Sequence, residues 1–191
     1  ASASQISIRV SAPTTTQSLV SPAYWRSVAG ITIRPWRSGA SSYALANSDI
    51  SRFASAYELG VQVTVHVGVG TDIVHMHPTA DGSAIGDCSL RDFRILIHAM
   101  RGLGGGGVLL NFGSAVIMPE VVLKALTVLR NLDVSLEGFT SVNLDFLQHY
   151  RSTQQIVSRV KEVGGKGCSL TGHHEIMIPL LAAAVVDALG G

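Results

Sequence analysis

The stretch Val108-Leu109-Leu110-Asn111-Phe112-Gly113-Ser114-Ala115-Val116-Ile117-Met118-Pro119-Glu120 decides the fold class. Its first five residues form a short apolar run closed by a glycine, the pattern of a buried parallel strand. Gly113 to Ala115 make a turn of small residues. Pro119 then opens a helix predicted over residues 119–132, where a first-turn proline forfeits no helical hydrogen bond. Residues 139–146 read as a further strand. Strand, glycine turn, helix and strand in that order are the unit of a parallel α/β sheet.

The flanking sequence repeats the theme. Residues 61–67 are rich in β-branched side chains and run into Gly68-Val69-Gly70, which predicts another buried parallel strand. Residues 49–59 and 89–103 carry apolar side chains at helical spacing, and glycines (Gly60; Gly104 onward) stop both. Ile156 to Val160 is a short strand-like piece. Residues 174–189 form a closing helix that is apolar almost all round, and therefore expected to be buried or at an interface. The fold predicted is a three-layer, Rossmann-like, mostly parallel sheet.

Residues 1–48 have another character. They hold Arg9, Arg26, Arg34 and Arg37 and no carboxylate, giving +4 against a whole-chain charge of +1, so residues 49–191 carry −3. Alternation at residues 6–10 and 31–34 predicts short strands there. The chain therefore reads as a β-rich leader, 1–48, followed by an α/β domain, 49–191.

Composition narrows the function. Of 191 residues, 47% are hydrophobic, and the low net charge excludes a disordered chain. Two cysteines, Cys88 and Cys168, exclude a disulfide scaffold and suit a reducing, cytoplasmic setting. No apolar run reaches the roughly 18–20 residues of a membrane span, since Pro179 and Asp187 interrupt the longest. No basic cluster suggests nucleic acid. Only 14% of residues are charged, against about 25% in a typical soluble domain. A surface so poor in charge predicts a homo-oligomer.

Ligands of open parallel sheets bind beyond the carboxyl ends of the strands. Candidate groups fall there in four clusters: Gly68 to Asp87, containing His75, His77, Asp81 and Asp87; Asn111 to Ala115; Asn143-Leu144-Asp145 with Gln148 to Arg151; and Thr171 to Glu175, containing His173 and His174. Gly113-Ser114 before a helix is suited to a phosphate. His75 and His77, joined by His173 or His174, would give a metal site, though none of the usual zinc spacings occurs. Lys161 and Lys166 are the lysines placed for a base or an imine former.

Taken in order, these clusters resemble the deoxyhypusine synthase family, which includes homospermidine synthase, from about Tyr57 to Leu189. Asp81-Gly82-Ser83 with Gly86-Asp87 is similar to the family's DGS-x-GD turn, one residue longer here. Gly104 to Val108 and Gly113-Ser114-Ala115-Val116 resemble its glycine-rich strand and cofactor loop. Val142-Asn143 resembles its INTA strand end. Arg151 with Val157-Ser158 and Lys161 resembles RPDEAVSWGK, and Pro179-Leu180-Leu181 with Ala183 its FPLLVA helix. The resemblance covers only the C-terminal half of that family. It implies NAD binding, aminobutyl transfer from a polyamine or other small amine, and assembly as a tetramer or dimer. Carried over by position, Lys161, less so Lys166, would be the covalent catalyst. Asp81 and Asp87 would hold the cationic substrate or the cofactor ribose, Gly113 and Ser114 the phosphates, and Asn143 with Asp145 the cofactor. Three departures point to a different substrate: Pro119-Glu120 replaces a histidine pair, Arg159-Val160 replaces the tryptophan before the lysine, and His173 or His174 replaces an acidic residue. Two other readings use the same residues: a metal-dependent enzyme built on His75, His77 and His173, and an incomplete paralogue acting only as a subunit.

Overall fold

A computed structural model describes residues 5–9, 55–56 and 59–190. The chain divides into two compact units, residues 1–96 and 97–191. The boundary expected at 48/49, the strand at 31–34 and most of the helix at 49–59 lie outside the described residues.

In the first unit, β1 (Gln5–Arg9) pairs with β2 (Gln62–His66) in antiparallel register, Gln5 opposite His66 and Arg9 opposite Gln62. Both strands were expected, but β2 was expected in a parallel sheet. Nothing in its own residues encodes the direction of its neighbour, and a strand buried on both faces reads alike in either ladder. A loop with one 3₁₀ turn at Ile73–Met76 leads to α1, Gly82–Met100. This helix begins seven residues before the predicted 89, because Asp81 caps it: the Oδ1 atom accepts from the backbone N–H of Ser83 at 2.9 Å and from the Ser83 hydroxyl at 2.8 Å. Val65, Ile85, Cys88 and Leu96 are buried in this unit.

The second unit is an α/β unit with a parallel sheet ordered β3-β4-β5. The strands are β3 (Val108–Phe112), β4 (Thr140–Asp145) and β5 (Lys166–Thr171). Its helices include α2 (Ile117–Asn131) between β3 and β4, and α3 (His174–Ala188) after β5. Helix α2 buries Met118, Val122, Ala125, Leu126 and Leu129, a stripe at helical spacing, with Pro119 in its first turn as expected. Between β4 and β5 the chain is helical from Tyr150 to Val163: Tyr150–Ser152, a wider π segment at Thr153–Ser158, then a 3₁₀ segment at Arg159–Val163. The strand-like reading of 156–160 is thus corrected. Ile156 and Val160, four apart, are fully buried as one helical face.

The register sorts the sheet's side chains. Leu109, Ser141 and Gly167 share one face with Asn111, Asn143 and Ser169, while Val108, Leu110, Cys168 and Leu170 point the other way. The first face is covered by the crossover: a Cβ on Gly167 would collide with the carbonyl of Val157, so only glycine lets that segment sit so close. The second face is open towards the start of β3, Val108 being 58% and Leu110 41% exposed, while Leu144 near the end of β4 is buried. Helix α3 was expected to be buried or at an interface, and none of its residues is buried within this chain. Among the described residues no helix is long and apolar enough to cross a membrane.

Candidate functional site

The three parallel strands end together, and a chain of side-chain amides ties their ends. Asn111 and Asn143 stand opposite each other in the register of β3 and β4. The Asn111 Nδ2 group donates to Asn143 Oδ1 at 2.7 Å and to the Ser114 carbonyl at 3.0 Å. Asn143 Nδ2 donates to Gln148 Oε1 at 2.8 Å. Gln148 Nε2 reaches the carbonyls of Asp145 and Leu170 and the hydroxyl of Thr171, each at 3.2 Å. The Ser152 hydroxyl adds a second donor to the Ser114 carbonyl at 2.8 Å. Every strand end is thus joined to the next by neutral groups, which are satisfied by one another.

This network decides how the loop after β3 is presented. Gly113 adopts a φ of +62°, open to glycine at little cost, and its N–H donates to the Leu144 carbonyl at 3.1 Å. The Ser114 hydroxyl accepts from the N–H of Met118 at 3.1 Å, and Pro119 has no N–H to offer. The N–H groups of Ala115, Val116 and Ile117 meet no acceptor among the described residues. They stand at the head of α2, where the helix dipole favours an anion. Asp145 closes the adjacent strand, and its Oδ1 takes one long bond, 3.4 Å, from the N–H of Leu147.

Two histidines open α3. His174 is locked. Its Nε2 lies 3.1 Å from the Leu144 carbonyl, which only accepts, so the Nε2–H donates this bond. The ring meets Phe112 edge-on at 6.4 Å and fills the space over Gly113, where a Cβ would fall 2.7 Å from its Cε1. His173 stacks on Phe146, centroids 4.4 Å apart and planes 21° apart.

Residues expected at the site divide into those the strand ends bring together and those they do not. Gly113, Ser114, Asn143, Asp145, His173 and His174 meet there. Within that group Ser114 and Asn143 are turned inward, 1% and 0% exposed, and hold the loop instead of facing a ligand. Lys166 is the first residue of β5, paired with Thr140, so it lies about 10 Å along the strand from the level of Asn143. Lys161 is exposed in the turn that enters that same strand start, its carbonyl accepting from Gly164 N–H at 3.3 Å. Both lysines therefore stand at the opposite edge of the sheet from the histidines.

The first unit uses its candidates locally. Hydrogen bonds from the Ser83 hydroxyl and the backbone of Ala84 and Ser83 hold Asp81 below the usual carboxylate range, as a helix cap. Asp87 pairs with Arg91 at 3.4 Å on the surface of α1. His75 Nδ1 accepts from the N–H of Gly70 at 3.1 Å, and His77 Nδ1 lies 2.7 Å from the Thr79 hydroxyl. Among the described residues no three His, Cys, Asp or Glu side chains are grouped as a metal ion requires, so the metal reading of His75, His77 and His173 finds no cluster.

Sequence reasoning gave Gln148 and Ser152 no role, since only the register of the folded sheet reveals them. Glu120 was noted as a departure. It receives Arg151 Nη1 at 2.7 Å and also Lys124, and these bonds lower its pKa.

Comparison with family models, with curated proteins and with solved structures finds no significant match to this chain.

Proposed function

We propose that this protein is an NAD-dependent transferase of the deoxyhypusine synthase type, acting on a polyamine or another small amine, with its dinucleotide site at the ends of β3 and β4. The observation that carries the reading is the strand–turn–helix–strand unit: the N–H groups of Ala115 to Ile117, without an acceptor among the described residues, stand at the head of α2, and a carboxylate, Asp145, ends the neighbouring parallel strand. A pyrophosphate suits the former and the ribose hydroxyls suit the latter. NAD, when bound, supplies a hydride acceptor that later returns the hydride, so the overall transfer breaks one C–N bond and forms another without net oxidation.

A polyamine is ammonium at neutral pH, and its reacting nitrogen must lose a proton before hydride leaves the adjacent carbon. The His174 imidazole, placed by the Leu144 carbonyl, the Phe112 ring and the space over Gly113, is the group assigned to take that proton. His173 flanks it. Lys161 and Lys166 have no part in this cleft, and Asp81 and Asp87 serve α1.

The same reading extends to assembly. The open sheet face and the exposed apolar side chains of α3, among them Ile176, Leu180 and Val186, favour a cytoplasmic homo-oligomer in which a third layer is completed by contact with other copies. Calorimetric titration with NAD tests the function: saturable binding that weakens at least tenfold in Asp145→Ala is expected. Folded protein that takes up no NAD at millimolar concentration would refute it. Sedimentation as a stable monomer would refute the assembly.

A further inference from the structure

We infer that the stacked pair Phe146–His173 is the seat of the purine ring of the bound nucleotide. The inference rests on the dinucleotide reading above and adds to it the half of the ligand that Asp145 and the α2 amides do not touch. Phe146 directly follows Asp145, the residue assigned to the ribose, at the carboxyl end of β4. His173 covers one face of Phe146 in a near-parallel stack, 4.4 Å between centroids, yet the side chain remains 54% exposed. An aromatic ring held flat by one partner and open on its other side is a preorganised stacking surface, because its orientation is already fixed before a base arrives. Tyr150, 77% exposed, and Leu147, 60% exposed, lie on the same β4–β5 connection and add further apolar surface beside it. Phe146 offers only its ring, so recognition is by stacking on a flat π surface, which favours the larger purine ring system.

The test uses the full chain and three probes, inorganic pyrophosphate, ADP and ribose 5-phosphate, titrated calorimetrically into wild type, Phe146→Ala and Phe146→Trp. Wild type should bind ADP more tightly than either of the others. Phe146→Ala should lose about tenfold in ADP affinity, with pyrophosphate and ribose 5-phosphate unchanged, and Phe146→Trp should restore ADP binding. Because Phe146 is exposed, both variants should melt within a few degrees of wild type. ADP affinity unchanged in Phe146→Ala, while Asp145→Ala still weakens it, would overturn the stacking seat and leave the dinucleotide site standing. Failure of wild type to bind either ADP or pyrophosphate would overturn both.

Discussion

The two units bury polar groups of opposite kinds. Among the described residues of 1–96 the buried polar side chains are Thr64, His66 and Asp92, and His66 and Asp92 can ionise. In residues 97–191 they are Asn111, Ser114, Ser141, Asn143 and Ser152, and none can. Asp92 accepts from the N–H of Val65 at 2.7 Å, yet burial raises its pKa. His66, 5% exposed beside the Thr64 hydroxyl, has its pKa lowered to about 4 by burial. The difference teaches what each unit is built to tolerate. A network of neutral amides holds its geometry whatever the pH and whatever charge a ligand brings, whereas a buried imidazole makes its surroundings depend on protons.

The comparison can be broken most forcefully at Asn143. Replacing it with Ala empties a fully buried site and removes both the acceptor of one Asn111 hydrogen bond and the donor to Gln148 Oε1, and the expected loss is about 4 kcal/mol. Hydrogen exchange should show the loss as reduced protection across β3, β4 and β5. Unchanged protection there would mean that apolar packing, and not the amide chain, holds the strand ends.

A smaller effect separates the units by pH. His66 has a folded pKa below its unfolded one, so the unfolded chain binds more protons between pH 6.5 and about 4. The stability His66 supports is complete above pH 6.5 and is lost as pH falls towards 4, by about 3 kcal/mol. Asp92 works in the opposite sense: its raised pKa favours folding at low pH and is a cost once pH rises past it. In urea titrations His66→Gln should flatten the fall in stability between pH 6.5 and 4, while Asp92→Asn should leave it as steep or steeper. An equally steep fall in His66→Gln would assign the acid sensitivity elsewhere.

The smallest of the three concerns the loop alone. Gly113→Ala puts a Cβ on a residue with φ of +62° and into the His174 ring, at an expected cost of about 2 kcal/mol. For a chain of this size that lowers the melting temperature by roughly 4–8 °C. Combining it with His174→Ala should recover the part due to the ring and leave the part due to backbone strain. Strict additivity of the two substitutions would show that the ring does not rest on Gly113.

Much of the second unit was legible in sequence because its elements carry strong periodicity. Strand β3, helix α2, strand β4 and helix α3 all lie within two residues of their predicted bounds. Strand β5, Lys-Gly-Cys-Ser-Leu-Thr, was invisible: it has a single β-branched residue, Thr171, and is mostly exposed, so no apolar pattern marks it. The neighbouring residues 156–160 took its place in the reading, since Ile156, Val157 and Val160 fit a short strand as well as a helix turn. Of the site, the histidines could be named from their place at the start of the closing helix, and Asp145 from its place at the end of a predicted strand. The inward turn of Asn143 and Ser114, and the part of Gln148, depend on which residues face each other across β3 and β4, and a single chain does not display that register.

The account stands or falls on the strand ends of residues 97–191. The most direct test is to follow backbone amide resonances of the full chain as NAD is added. Saturable shifts should concentrate at Gly113 to Ile117, at Asp145 to Tyr150 and at Thr171 to His174, with the β1–β2 pair unmoved. An unperturbed spectrum at saturating NAD, or shifts gathered at Lys161 and Lys166 on the opposite edge of the sheet, would contradict it.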